Sequence, residues 1–155
     1  MMTQPQADTS PVDDDACFAC GTRNGHGLRL RFVPDGPGAA RAAVSLDPHL
    51  QGYRGIAHGG IVMLLLDEVM AHACGSAGDK VMTAAVAVRF RAPVPLGVPL
   101  ELRGRVLARR GKIIKVEASL GDAAGATLAT AEGSFARLGP VDARRFGNAF
   151  APEAV

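Results

Sequence analysis

The sequence lacks a long hydrophobic run, a surplus of charge and enough cysteine for a disulfide framework. Its longest uninterrupted apolar stretch, Ile61 to Leu66, is far short of the roughly 20 residues that cross a bilayer, so the chain is expected to be soluble, with no membrane partner. A formal net charge of +2 leaves no electrostatic case for nucleic acid or a membrane surface, although a local anion site is compatible with it. Three cysteines, an odd number, argue against paired bridges and for a reducing, cytoplasmic location. The opening stretch MMTQPQADTSPVDDDA has neither the basic start nor the apolar segment of a secretory signal. No repeat of fixed period is present.

What is there suits one globular domain: 155 residues, 48% hydrophobic and 21% charged, enough to bury a core and too few for two ordinary domains. Residues 1–15, rich in Pro, Gln, Ser and Asp, read as a tail. Residues 16–138 carry the ordered pattern, and residues 139–155, punctuated by Gly and Pro, read as a second tail.

Within the middle segment, alternation dominates. Leu28, Leu30 and Phe32 alternate with arginines, PDGPG turns the chain, and Ala40, Ala42, Val44 and Leu46 repeat the pattern, which predicts a hairpin. Further strands are expected at Ala84 to Phe90, Val98 to Ala108, Ile114 to Leu120 and across ATLATAEGSFARL, with turns at APVPLG, RRGK and GDAAG. This makes about six mostly antiparallel strands. One long helix fits, from about His58 to Cys74. At about 100° per residue, its run Ile61 to Leu66 covers the whole circumference, so no solvent face is expected there. A curved sheet wrapped round one buried helix is an α+β arrangement.

That helix interrupts its apolar run with Asp67 and Glu68. A carboxylate among leucines carries a large burial cost unless it is paired, so it marks either a site or an interface, or else an edge cap or salt bridge. At the helix start, His58 precedes Gly59 and Gly60. The first N–H groups of a helix lack intrahelical acceptors, and bare glycines let a ligand oxygen approach them, which suits an oxyanion; paired glycines that merely end a loop look the same. Asp67 follows His58 by about 900° of helix, half a turn out of phase, so it could serve a neighbouring subunit's helix start more readily than its own.

The stretches GYRGIAHGGIVMLLLDEVM and VMTAAVAVRFRAPVPLG closely resemble the hotdog-fold acyl-CoA thioesterases of the PaaI type, including the thioesterase superfamily member 4 branch, over roughly residues 28–138. The resemblance implies a hotdog fold, an acyl-CoA substrate, a homodimer or dimer of dimers, and no cofactor. It implies that the Gly59 N–H, with Gly60 beside it, polarises the thioester carbonyl. It also implies that Asp67 of the facing subunit is nucleophile or general base, that Thr83 positions water or the carboxylate, and that His58 shapes the loop and helix start. Relatives carry Asn or Gln six residues before the motif histidine; here that position is Gly52, and the neighbouring Gln51 is the candidate substitute.

Two further patterns belong to the chain's chemistry. Cys17 and Cys20 have metal-knuckle spacing and His26 follows, but no fourth ligand is evident, so a structural turn without metal is expected. Arg89 and Arg91 share a strand face, and Arg109, Arg110 and Lys112 cluster at a hairpin. Either group could anchor the phosphates of coenzyme A or be an ordinary solvated surface. A non-catalytic acyl-CoA-binding hotdog module is the alternative function, and the short tails, too short for a DNA-binding extension, weigh against it.

Overall fold

The computed structural model describes residues 11–141. Its elements are β1 (Val33–Pro34), β2 (Ala39–Val44), a 3-10 turn (Pro48–Leu50), α1 (Gly59–Ser76), β3 (Asp79–Phe90), β4 (Leu100–Arg110), β5 (Ile113–Asp122) and β6 (Thr127–Pro140). The six strands form one sheet in the order β1-β2-β4-β5-β6-β3, antiparallel throughout. The sheet curls round α1, which packs against β2, β3, β4, β5 and β6. This is the α+β hotdog architecture.

Alternation produces the core directly. In β5, Ile114, Val116, Ala118 and Leu120 face α1 and are buried, as are Leu100 and Leu102 of β4. Opposite them stand Val62, Leu65, Leu66, Val69 and Met70 of the helix, all at or below 1% exposure. Each such aliphatic side chain contributes roughly 1.5–3 kcal/mol when fully buried. Gly104 sets how closely the layers approach: a Cβ there would stand 2.6 Å from the Val69 carbonyl oxygen.

Two expectations are corrected. The first strand is not Leu28 to Phe32. Arg29 adopts the left-handed region, with φ 51°, and the backbone N–H groups of Leu28 and Leu30 donate to the carbonyls of Phe18 and Ala19. That segment therefore pairs with the N-terminal loop, although Leu30 and Phe32 are buried as their alternation requires. Second, the helix is not covered all round: Met63 is 44% exposed, and Gly60, Leu64, Asp67 and Ala71 share its less-buried stripe. One sheet covers one side of a cylinder, so a run apolar on every face leaves a stripe for something else to cover. β6 and its pairing run to Pro140, which stands opposite Asp79. Ahead of the first strand, Asp15 accepts from Thr22 N and Oγ1. Residues 1–10 and 142–155, the remainder of the two expected tails, lie outside the described residues.

By length and composition α1 could cross a membrane. Its place inside the sheet accounts for that composition.

Candidate active site

The helix start is a built cap. His58 stands at the N-cap in extended conformation, with ψ 136°, and its Nδ1 accepts from the Gly60 N–H at 2.9 Å. Gly60 is therefore committed to the cap, and a Cβ on it would lie 3.1 Å from that nitrogen. Gly59 is different. Its N–H has no acceptor among the described residues, and a Cβ there would meet only the Phe90 ring, at 3.6 Å. Of the two glycines, Gly59 is the one that can offer a backbone donor to a ligand, beside the apolar ring of Phe90.

Asp67 sits on the stripe of α1 that the sheet leaves uncovered. Thr83 Oγ1, on β3, donates to Asp67 Oδ1 at 2.8 Å. Thr83 lies at a break in the β3–β6 register, between Thr83 and Ala85; such bulges re-aim a side chain at a sheet edge. Burial pushes the Asp67 carboxyl above the ordinary carboxylate range, the Thr83 hydrogen bond draws it back, and the neighbouring Glu68 charge adds to the upward shift. A half-buried carboxylate with one oxygen held and the other open is suited to accepting a proton.

Gly59 and Asp67 are eight positions apart on one straight helix, about 12 Å along its axis. A single chain cannot bring them to one carbonyl group. The pocket that holds Asp67 and Thr83 is small, about 260 Å³.

The remaining candidates are scattered. Gln51 is exposed, with Oε1 3.5 Å from Gly55 N within its own loop. Arg89 and Arg91 line an open groove of about 670 Å³ on the sheet face away from α1, with Arg103, Arg105, Glu117 and Glu132. That groove is the larger cavity, but it contains neither Asp67 nor Gly59. Arg109 is drawn into structure: with Arg137 it pairs with the buried Asp79, Arg137 Nε at 2.6 Å from Oδ1 and Arg109 Nη1 against Oδ2. Arg110 and Lys112 stay exposed at the hairpin. The Asp79 ion triad was not foreseen, because its members are 30 and 58 residues apart and sequence spacing carries no trace of it.

The thioesterase superfamily profile matches residues 54–131, half of the chain and all of the segment from the Gly59 loop through Thr83, and the chain belongs to that superfamily. No curated protein matches it. Among solved structures it is similar to the thioesterase superfamily protein RHA08564, at 30% identity and TM-score 0.75 over 79% of this chain. The chain spans 60% of the length of that protein. It is also similar to PaaI of E. coli from the phenylacetic acid degradation operon, at 21% identity and TM-score 0.68 over 74% of this chain and 83% of the other. A third similar structure is smu.793 of Streptococcus mutans bound to acetyl-CoA, at 19% identity and TM-score 0.68 over 73% of this chain and 91% of the other. The last two likenesses speak to the fold, which is that of the PaaI-like hotdog proteins.

Proposed function

We propose that the protein is an acyl-CoA thioesterase, releasing a carboxylic acid and free coenzyme A, with each active site shared between two copies of the chain. The observation that carries this reading is the division of labour along α1: an unsatisfied Gly59 N–H at one end and the Thr83-held Asp67 carboxylate about 12 Å further on. A second copy in antiparallel apposition on the uncovered stripe would set one chain's Gly59 against the other's Asp67. The outer edge of β3, unpaired among the described residues and carrying exposed Met82 and Phe90 at 50% and 53%, is the natural continuation of that contact.

In this site Asp67 takes a proton from water, and the hydroxide oxygen adds to the thioester carbonyl carbon. The charge that develops on the carbonyl oxygen is met by the Gly59 N–H and the positive end of α1. Collapse breaks the carbon–sulfur bond, and the proton held by Asp67 passes to the departing thiolate. The raised affinity of Asp67 for a proton, which burial brings about, supports its taking a proton from water at working pH. The structure of smu.793 with acetyl-CoA supports the substrate class by analogy.

The test uses two disabled chains. Asp67→Asn keeps the side-chain volume but cannot accept the proton, and turnover of acyl-CoA should fall by at least about a hundredfold with little change in KM. Gly59→Pro removes the N–H at the first helical position, where proline is tolerated and where His58 already has the extended backbone that proline requires. Each variant alone should be nearly inactive. Equal mixing after reversible dissociation should restore about a quarter of parental activity, because half of the random dimers then contain one intact site of two. No recovery on verified mixing overturns the shared site, and an active Asp67→Asn overturns the mechanism.

A further inference from the structure

Asp67 and Glu68 are neighbours in sequence but turn to different surroundings. Glu68 points toward the N-terminal loop, where Cys17 Sγ lies 3.7 Å from its Oε1. Donor atoms of Cys17, Cys20 and Glu68 all lie within 4.8 Å of one another, each residue half-buried. One turn further along α1, His72 Nε2 is 3.3 Å from the same Glu68 Oε1, and its ring is held by stacking on Phe32 at 4.1 Å and 18°. His26, the histidine that follows the cysteines in sequence, is exposed and takes no part in this group.

We propose that Cys17, Cys20 and Glu68 form a zinc site that fastens the N-terminal loop to the core helix, with the His72 imidazole seated against the Glu68 carboxylate, outside the three mutually close donors. The donor set is the first argument: two thiols and a carboxylate, with a water to complete four-coordination, are what zinc accepts, whereas calcium and magnesium take oxygen ligands alone. Geometry is the second. Nitrogen and oxygen ligands at about 2.0 Å from a tetrahedral zinc stand about 3.3 Å apart, and a sulfur at about 2.3 Å stands about 3.5 Å from such an oxygen. The separation of Cys17 Sγ from Glu68 Oε1, 3.7 Å, falls close to the sulfur–oxygen edge, and the donors of Cys17, Cys20 and Glu68 all lie within 4.8 Å of one another. The third is preorganisation. The turn that follows the second cysteine is closed by the Gly21 N–H donating to Cys17 O at 2.8 Å, and so tightly that a Cβ on Gly21 would lie 2.4 Å from Cys17 N. His72, at i+4 on the same face of the helix, holds the Glu68 carboxylate with Nε2 3.3 Å from Oε1.

The site would crosslink two residues 51 apart in sequence, adding to the hold that buried Ala19 already gives the N-terminal loop on the core. Metal affinity then becomes folding affinity. The proposal is independent of the thioesterase reading, and its readouts do not involve turnover.

The full chain, purified under thiol-reducing conditions and stripped with chelator, is titrated with zinc and with cobalt. One metal per chain is expected, with the thiolate-to-cobalt charge-transfer band and the intense visible bands of a four-coordinate centre, and with a melting temperature raised by zinc. Cys17→Ser and Cys20→Ser should each weaken the charge-transfer band, while Glu68→Gln and His72→Gln should keep it and lose at least about tenfold in affinity. Substoichiometric binding or absence of the charge-transfer band in the parent protein overturns the proposal without reference to any variant. So does parental affinity in both Glu68→Gln and His72→Gln, and so does a stable Cys17–Cys20 disulfide that takes up no metal after reduction.

Discussion

The Thr83 hydroxyl donates to Asp67 Oδ1 at 2.8 Å across 16 residues of sequence, tying the edge strand to the exposed stripe of the core helix. Through that one bond the bulge in β3 orients the carboxylate and tempers its affinity for protons, while burial and Glu68 raise it. Thr83 is thus a positioning residue, and its removal has a signature that simple loss of stability does not share. Thr83→Ala should lower turnover about tenfold, in keeping with loss of a hydrogen bond to a charged group. It should also move the acid limb of the pH–rate profile upward, because a contact that favours the ionised form is gone. Thr83→Ser should restore both. An unmoved acid limb in Thr83→Ala would separate Thr83 from Asp67 functionally.

Asp67→Asn should make the fold more stable at neutral pH. A carboxyl whose folded-state pKa is raised costs stability once ionised: the parent protein is least burdened below the ordinary carboxylate range and loses stability as pH rises through the raised value. Asparagine removes that cost and can still accept from Thr83. The gain in melting temperature should therefore be present at neutral pH and vanish below the ordinary carboxylate range. A neutral-pH loss would count against the desolvated state of Asp67 described above.

The Asp79 triad should behave as structure and not as a coenzyme anchor. Asp79 is 5% exposed, whereas Arg109 and Arg137 are 43% exposed at their side chains. Removing both arginines leaves a buried charge without a partner, at about 3–5 kcal/mol. Asp79→Asn leaves two cations that water can reach and should cost less. Denaturant melts of Arg109→Ala/Arg137→Ala and of Asp79→Asn rank the two. Kinetics of the single Arg109→Ala variant should show an unchanged KM.

Gly104→Ala should destabilise by about 1–3 kcal/mol, the usual cost of overpacking. Its Cβ would lie 2.6 Å from the Val69 carbonyl oxygen, and backbone on both sides resists movement. Gly36, with nothing within 4 Å of its Cβ position but a φ of +93°, provides a contrast: Gly36→Asn, a residue that tolerates the left-handed region, should cost little. Equal losses at the two sites would mean that helix and sheet are not in the close contact described.

The sequence by itself determined the layers. Alternation in Ile114–Leu120 and Leu100–Leu102 can bury only one face of a strand, and Ile61 to Leu66 makes sense only inside a fold, so a curled sheet round one helix follows from periodicity. It also marked His58, Gly59, Gly60 and Asp67, because glycines at a helix start and a carboxylate in a leucine run are locally anomalous, whereas Thr83 is pointed to only by the resemblance to the PaaI-type thioesterases. Tertiary structure decided the rest. Nothing in the spacing of Leu28, Leu30 and Phe32 says that Arg29 will turn left-handed and send that backbone to Phe18 and Ala19 instead of β2. Nothing in the hairpin cluster separates Arg109, spent on Asp79, from Arg110 and Lys112, left exposed. Nor does the pair Asp67–Glu68 disclose that one carboxylate meets Thr83 and the other Cys17 and His72. Periodicity reports which side of an element a residue occupies; which distant group waits on that side depends on how the elements cross, and that is set only when the whole core packs.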